Sequence, residues 1–144
     1  MDADPTDGWG KLVDELLSKN VEPKLIQPTF ITDYPVELSP FAKNHRTDEG
    51  MVERWEAFVG GMEIANSFSE LNDPDEQRKR FEQQAEEIGR GDEEAQPYDE
   101  QYVEALEQGM PPTGGVGLGM DRLTMILTGA KTLREVVLFP AMRS

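Results

Sequence analysis

The segment 54–70 restricts the fold more than any other part of the chain. It alternates apolar and polar residues on both sides of Gly60-Gly61. An alternation of period two is typical of a strand with two unlike faces, and paired glycines supply the positive φ angles of a two-residue turn. The segment therefore predicts an antiparallel hairpin. The predicted cross-strand pairs are Val59 with Met62, Phe58 with Glu63, and Glu56 with Ala65.

In this register two carboxylates project from the same face of the hairpin. Glu56 and Glu63 become diagonal neighbours, about 7 Å apart at Cα. Like charges at that separation repel, so one carboxylate takes up a proton unless a cation lies between them. Mg²⁺ prefers a few carboxylates together with phosphate oxygens and fits such a pair. Two exposed glutamates on a solvated face remain the alternative.

The second strand continues into three residues that share a face. Asn66, Phe68 and Glu70 are spaced two apart, so a continuing strand projects them together. An amide, an aromatic wall and a carboxylate could hold an amino acid with a cationic side chain. On a regular strand this face is opposite to that of Glu63, so a shared pocket requires a kink, which we place at residues 65–67. Alternatively, Phe68 is a core residue between surface polar groups.

A glycine-rich run at 113–119 precedes the apolar stretch 120–127 and predicts a strand that enters a helix. Glycines 115, 117 and 119 permit close approach of a ligand to the backbone. The run is not a Walker loop, because no Gly-Lys-Ser/Thr sequence follows it. Arg122, just inside the helix, could stack on a base or hold phosphate oxygens. A tight turn in which Arg122 pairs with a carboxylate remains an alternative.

The rest of the chain predicts short helices and one further strand. Apolar residues recur at helical spacing over 7–18, with Asp7 as a possible N-cap. Prolines then limit the chain to one strand near 25–31. Asp73, Pro74 and Glu76 form a capping-box signature before another helix. We expect its inward residues to be Phe81, Ala85 and Ile88. A helix over 99–108 should bury Tyr102, Val103 and Leu106, and residues 133–139 favour a short β-like run.

Composition excludes several functional classes. With 29 acidic and 14 basic residues, the net charge is -15. Such a surface repels a phosphate backbone, which disfavours a general nucleic-acid-binding module, and it is compatible with a halophilic source. The chain has no cysteine and one histidine, His45, so disulfides, thiolate catalysis and multi-histidine metal sites are excluded. The absence of a long apolar stretch and of a signal-like start predicts a soluble, cytoplasmic protein with no membrane partner.

Several blocks resemble the lysine branch of the class II aminoacyl-tRNA synthetases. The run 115–122, Gly-Val-Gly-Leu-Gly-Met-Asp-Arg, resembles motif 3, the glycine-rich strand and helix that end in an ATP-contacting arginine. The stretches 27–40, 58–73, 109–113 and 137–143 resemble the same branch in the same order. The chain is thus similar to the C-terminal part of a class II lysyl-tRNA synthetase catalytic domain.

This resemblance implies an α+β fold, part of a class II antiparallel sheet flanked by helices. Residues 1–22 would form an N-terminal segment with a short amphipathic helix, and residues 23–144 would belong to the catalytic domain. The implied activity is formation of lysyl adenylate from lysine and ATP with Mg²⁺, followed by transfer to tRNA(Lys). The implied ATP-binding residues are Glu56, Gly119, Met120, Asp121 and Arg122, with Arg122 catalytic. The implied lysine-binding residues are Asn66, Phe68, Glu70 and Gly117, and the implied metal ligands are Glu56 and Glu63.

The family also uses segments that these 144 residues do not contain. Motif 1 forms the homodimer interface, motif 2 holds the α-phosphate, and a separate barrel binds the anticodon. We therefore expect this chain alone to be inactive, and its sheet edges to cause self-association or to require the missing half. Two alternatives remain: a fragment of the related ligase that lysylates elongation factor P, and a non-catalytic synthetase-like binding module.

Overall fold

The described chain forms one antiparallel sheet with helices around it. The computed structural model describes residues 8–89 and 95–140. Within these residues four strands lie in the order β1-β2-β3-β4, and all neighbours are antiparallel. Their bounds are β1 Thr29–Pro35, β2 Met51–Val59, β3 Met62–Ser69 and β4 Gly114–Leu118. This arrangement confirms the predicted α+β class with an antiparallel sheet.

The described residues also form four α-helices and three short 3₁₀ helices. The α-helices are α1 Trp9–Asn20, α2 Pro74–Gly89, α3 Glu100–Glu107 and α4 Met120–Thr128. The 3₁₀ helices are Glu22–Lys24, Val36–Leu38 and Leu133–Glu135. The predicted cap of α2 is present, and α3 has a similar cap that the sequence analysis did not name. Asp73 Oδ1 accepts from the amides of Asp75 and Glu76 at 3.0 and 3.2 Å, and Asp99 Oδ1 accepts from the amide of Tyr102 at 3.0 Å.

The β2–β3 hairpin turns at the predicted glycines but contains a bulge. Gly60 and Gly61 have φ angles of 61° and 77°, and the pairs Val59–Met62 and Phe58–Glu63 form as predicted. Beyond them Ala57 pairs with Ala65, so Ile64 is an extra residue in β3. The predicted pair of Glu56 with Ala65 is therefore wrong, because the extra residue brings Asn66 opposite Glu56.

The bulge supplies the kink that a shared pocket requires. One extra residue moves every later side chain of β3 to the other face of the sheet. Asn66 and Phe68 consequently lie on the face that carries Glu56 and Glu63. The kink was expected at residues 65–67 and occurs at Ile64, immediately before them.

One buried cluster joins Tyr34 of β1, Ala42 of the loop after it and Val52 of β2, and another lies where α2 and α3 pack beside the same loop. Phe81 and Val103 are fully buried, and the rings of Phe41, Tyr98 and Tyr102 surround the Phe81 ring at centroid distances of 5.7 to 5.9 Å. The predicted inward face of α3 is confirmed. On α2 only Phe81 is buried as predicted. Ala85 and Ile88 are exposed, because the helix buries Gln77 and Arg80 against the carbonyl groups of the loop 39–44 instead.

Three predictions about element ends are corrected. Helix α1 begins at Trp9 with Gly8 at the N-cap position, and Asp7 lies outside the described residues. The strand expected at 25–31 is β1, which begins only after Pro28. The carbonyls of Leu25 and Ile26 accept instead from the hairpin amides of Gly61 and Gly60, each at 3.0 Å. The β-like run expected at 133–139 begins as a 3₁₀ helix, because Thr132 and Glu135 cap each other.

Apolar side chains remain exposed along β4 and the segment after it. The most exposed are Val116, Met120, Leu127, Leu138 and Phe139, at 61 to 93%. Strand β4 pairs with β3, and the described residues place no strand on its other edge. None of the described helices has the length and apolar character that crossing a membrane requires.

Candidate functional site

Three neighbouring strands bring the predicted site residues into one row. Glu56 of β2 pairs with Asn66 of β3, and Asn66 pairs with Gly117 of β4. Directly paired residues project from the same face of a sheet. The row therefore places Glu56, predicted to bind ATP and metal, beside Asn66 and Gly117, both predicted to bind lysine. The adjacent row consists of Arg54, Phe68 and Gly115.

Two donors hold the Glu56 carboxylate. The Tyr34 hydroxyl donates to Oε2 at 2.7 Å, and Arg54 Nη2 donates to Oε1. The side chain of Glu56 is only 13% exposed. Burial and the hydrogen bond to Glu56 raise the pKa of Tyr34 far above its ordinary value, so its hydroxyl keeps the proton that it donates.

Arg122 holds the second carboxylate. Its Nη1 donates to the backbone carbonyl of Glu63 at 2.7 Å and to Glu63 Oε2 at 3.1 Å. The two side chains are 45% and 38% exposed, respectively. Arg122 thus pairs with a carboxylate, as the alternative in the sequence analysis expected. Its side chain remains accessible at the start of α4.

The two candidate metal ligands lie on one face, and each is paired with an arginine. Nearby acidic charge is high. Burial, followed by the charges of Glu56, Asp14 and Glu63, raises the pKa of the Glu22 carboxyl. The described residues contain no group of three or more His, Cys, Asp or Glu side chains able to hold a metal ion. In the described residues both carboxylates are therefore already paired with a guanidinium, and they do not form part of a metal cage made of protein side chains alone.

Glu70 lies beside the glycine strand, past the end of β3. Its amide donates to the Thr113 carbonyl at 2.9 Å, and burial raises the pKa of its carboxyl. A Cβ atom placed on Gly115 would lie 2.5 Å from Glu70 Oε1. Glycine at 115 therefore leaves the space that the Glu70 carboxylate occupies.

Two cavities border the row of paired residues. One, of about 390 Å³, is lined in part by Tyr34, Arg54, Glu56, Asn66 and Phe68. The other, also of about 390 Å³, is more open and is lined in part by Glu63, Asn66, Gly117 and the residues 119–122. Asn66 borders both cavities. Glu70 borders neither cavity. The structure therefore brings together all predicted site residues except Glu70, which lies two residues beyond Phe68 and past the end of β3.

The start of α4 presents the last group of predicted residues. The Gly119 amide donates to the Ile64 carbonyl at 2.9 Å, so the helix start is fastened to the bulge. Met120 and Asp121 follow in the first turn of the helix, and both are exposed. The bulge therefore positions both Asn66 and the beginning of α4.

The sequence analysis missed Arg54 and Tyr34. Arg54 lies two positions before Glu56 on the same strand, so the alternation that selected Glu56 already placed both on one face. Tyr34 gave no comparable signal, because its contact with Glu56 spans 22 residues and depends on the register of β1.

A glycine strand that enters an arginine-bearing helix, beside paired carboxylates on an antiparallel sheet, defines the class as class II aminoacyl-tRNA synthetase. The model of the family described as tRNA synthetases class II (D, K and N) matches residues 13–143, and the chain belongs to this family.

Within the family, the chain is similar to lysine–tRNA ligases. It is 54% identical to the lysine–tRNA ligase of Pelotomaculum thermopropionicum over 99% of this chain and 28% of the relative. It is 63% identical to that of Methanospirillum hungatei over 85% of this chain and 24% of the relative. It is 56% identical to that of Dehalococcoides mccartyi over 97% of this chain and 28% of the relative. The chain therefore spans about a quarter of the length of these relatives.

Proposed function

We propose that this chain forms one half of the lysyl-adenylate site of a lysine–tRNA ligase. The observation that carries the proposal is the row of Glu56, Asn66 and Gly117 across three strands. The row adjoins a cavity on the Glu56 side and an open cavity beside the start of α4. Two substrates that must react with each other need adjoining sites of this kind.

In the proposed site, the nucleotide lies along the start of α4. Gly119, Met120 and Asp121 would line it, and Arg122 would stack on the base or contact the phosphates. Glu56 and Glu63 would hold Mg²⁺ through their carboxylate oxygens. The ion, when bound, supplies positive charge against the phosphate oxygens of ATP. Because Arg122 already pairs with Glu63, nucleotide binding would shift this arginine from the carboxylate to the ligand.

Lysine would bind on the other side of Asn66. Phe68 would form the apolar wall along the aliphatic part of the side chain, and Gly117 would allow close approach of the backbone. Glu70 would face the ε-ammonium group. Burial raises the pKa of the Glu70 carboxyl, and a substrate ammonium beside it would stabilise the ionised form.

The proposed reaction needs no covalent nucleophile on the protein. An oxygen of the lysine carboxylate forms a bond to the α-phosphorus of ATP, the bond from that phosphorus to its bridging oxygen breaks, and pyrophosphate leaves. A hydroxyl at the tRNA(Lys) terminus then attacks the adenylate carbonyl and AMP leaves. Positioning and charge neutralisation drive such a step. Homodimer formation and cytoplasmic action are part of the same proposal.

The test is isothermal titration of the purified chain with lysine and, separately, with Mg·ATP. Two variants should divide the ligands. Glu70→Gln should abolish lysine binding and keep Mg·ATP binding, and Arg122→Ala should do the reverse. Arg46→Ala is the matched control, because Arg46 is 85% exposed and pairs with Glu53 outside the site.

The two variants also define what would overturn the proposal. Lysine binding that is unchanged in Glu70→Gln, or Mg·ATP binding that is unchanged in Arg122→Ala, would place the site of that ligand elsewhere. A folded wild-type chain that binds neither ligand would show that these residues do not form a substrate-binding half-site.

A further inference from the structure

The geometry points to a further functional residue that none of the predicted sets contains. We infer that Arg54 is a positioning residue that fixes the Glu56 carboxylate and the Asn66 amide relative to each other, and so couples the phosphate side of the site to the lysine side. This inference rests on the proposed function for the roles of Glu56 and Asn66.

A single guanidinium contacts both sides of the site. Arg54 Nη2 donates to Glu56 Oε1, and Arg54 Nε donates to Asn66 Oδ1 at 3.1 Å. Its side chain is 17% exposed, so these bonds form largely out of water. Buried charge-assisted hydrogen bonds of this kind are strong and directional. The spacing between the carboxylate and the amide is thus set by the rigid plane of one group.

Three other contacts hold the guanidinium itself. Nη1 donates to the Leu38 carbonyl at 3.0 Å and to Ser39 Oγ at 2.7 Å. The Arg54 Cζ atom lies 4.7 Å from the centroid of the Tyr34 ring, a cation–π distance. Tyr34 in turn donates to Glu56, so the ring that supports Arg54 also fixes the carboxylate that Arg54 binds.

A buried arginine on α2 supports the loop that anchors Arg54. Arg80 Nη1 donates to the carbonyls of Ser39 at 3.2 Å and Ala42 at 2.6 Å, and Nη2 donates to Asn44 Oδ1 at 2.7 Å. Arg80 is only 3% exposed. Arg80 therefore supports Arg54 indirectly, because Arg80 holds the loop and the loop accepts hydrogen bonds from Arg54.

The contact with Arg54 decides which end of the Asn66 amide faces the substrate. A guanidinium only donates hydrogen bonds, so the amide must turn its oxygen towards Arg54. The Asn66 NH₂ group then points away, and no described residue accepts from it. The site consequently offers a hydrogen-bond donor at Asn66, which suits an acceptor group of the ligand. Without Arg54 the amide could rotate and present its oxygen instead.

A lysine side chain at position 54 could replace only part of the function of Arg54. An ammonium is a single point of charge and cannot reproduce the planar fork that binds two partners at fixed separation. In Arg54→Lys the ammonium should stay with the charged Glu56 and leave Asn66 unsupported. In Arg54→Met both contacts are lost. The two variants therefore separate the charge of Arg54 from its geometry.

The first measurement needs no ligand. Side-chain NMR relaxation of the Asn66 amide is compared in wild type, Arg54→Lys, Arg54→Met and the control Arg46→Met. We expect a rigid amide in wild type and control, and an order parameter below about 0.6 in both Arg54 variants. An Asn66 amide that stays rigid in Arg54→Met would overturn the inference.

The second measurement is titration with lysine and with Mg·ATP. Arg54→Met should weaken both by about tenfold, the loss of a contact worth roughly 1.4 kcal/mol. Arg54→Lys should recover Mg·ATP binding and not lysine binding, a split that general destabilisation would not produce. Unchanged lysine affinity in both Arg54 variants would contradict the coupling. A wild-type chain that binds neither ligand would count against the proposed function, and the NMR result would still decide the role of Arg54.

Discussion

Two adjacent glycines of β4 have different consequences for the site, although they look alike in the sequence. A Cβ atom on Gly115 would lie 2.5 Å from Glu70 Oε1, whereas one on Gly114 would meet only the Phe68 carbonyl at 3.9 Å. The Glu70 carboxylate is the far end of a flexible side chain and can move away from an added methyl group. Gly115→Ala should therefore fold normally but displace Glu70.

The expected result is a loss of lysine affinity of about tenfold or more in Gly115→Ala, with the thermal unfolding midpoint within a few degrees of wild type. Gly114→Ala is the matched control and should bind lysine as wild type does. Isothermal titration and a thermal melt check both statements. Equal affinities in the two alanine variants would show that the Glu70 position is unimportant for binding.

Glu70 should also reduce the stability of the ligand-free chain. Burial raises the pKa of its carboxyl above the ordinary value of 4.5. As the pH falls, the folded state therefore binds this proton before the unfolded state does, so the free energy of unfolding rises through that window. At neutral pH the ionised, partly buried carboxylate is destabilising.

Glu70→Gln should accordingly be more stable than wild type at pH 7 and lose this advantage as the pH falls towards 4.5, the unfolded value, below which both states of wild type bind the proton. Thermal unfolding of both proteins between pH 4 and pH 7 provides the measurement. Lysine binding should disappear in the same variant, so Glu70→Gln should be more stable than wild type and unable to bind lysine. A constant difference across this range would show that Glu70 ionisation does not carry the effect.

At the scale of elements, helix α2 contributes to the site through its buried polar residues. Arg80 donates to the Ser39 and Ala42 carbonyls of the loop that anchors Arg54, and both hydrogen bonds are buried. Removing the guanidinium takes away the donor of the Ala42 carbonyl, whereas the Ser39 carbonyl still accepts from the Ala42 amide at 3.1 Å. Arg80→Met should lower the free energy of unfolding by roughly 3 kcal/mol, because each lost bond to a charged group costs about 1.5 to 3 kcal/mol.

Arg78, two residues earlier on the same helix, gives the matched control. It pairs with Glu100 and Glu107 at the surface, at 3.1 and 2.9 Å, and exposed ion pairs contribute little. Arg78→Met should therefore change the urea midpoint far less than Arg80→Met does. Similar midpoints for the two variants would mean that the buried arginine is not the element that fixes the loop.

The hairpin shows which parts of the site could be predicted from the sequence. Gly60-Gly61 fixed the turn, because few residue pairs accept positive φ at both positions, and the pairs next to the turn followed from it. The bulge at Ile64 could not be predicted in place, since it depends on packing beyond the hairpin. The sequence therefore named Asn66 and Glu56 as candidates, but it paired Glu56 with Ala65 and not with Asn66.

Other misses have the same physical origin. The face of α2 was predicted from apolar periodicity. That rule cannot anticipate a buried Arg80 whose partners, two backbone carbonyls and the Asn44 side chain, lie 36 to 41 residues away. The contact of Tyr34 with Glu56 likewise depends on long-range pairing. The local capping signal at Asp73, by contrast, predicted the start of α2, because Asp73 bonds within the first turn of its own helix.

At the scale of the whole molecule, two opposing surface properties decide whether the chain associates with itself. The net charge of -15 causes repulsion between copies, and salt screens it. The outer edge of β4 has no partner strand among the described residues, and its side chains Val116 and Leu118 are 69% and 50% exposed. An unprotected edge with apolar side chains is a template for pairing with another strand.

We therefore expect association that increases with protein concentration and with salt, since salt weakens the repulsion and leaves the apolar edge intact. Val116→Lys should abolish it, because a lysine on an edge strand opposes strand pairing. Val116 projects from the face opposite to Glu56, so the change leaves the site row in place. Leu138→Lys is the control, since Leu138 is 89% exposed and lies outside the sheet. Sedimentation velocity at low and high salt measures all three proteins. If both lysine variants reduce association equally, general apolar contact is the cause and strand pairing is not; a monomer at every salt concentration would show that the edge is already protected.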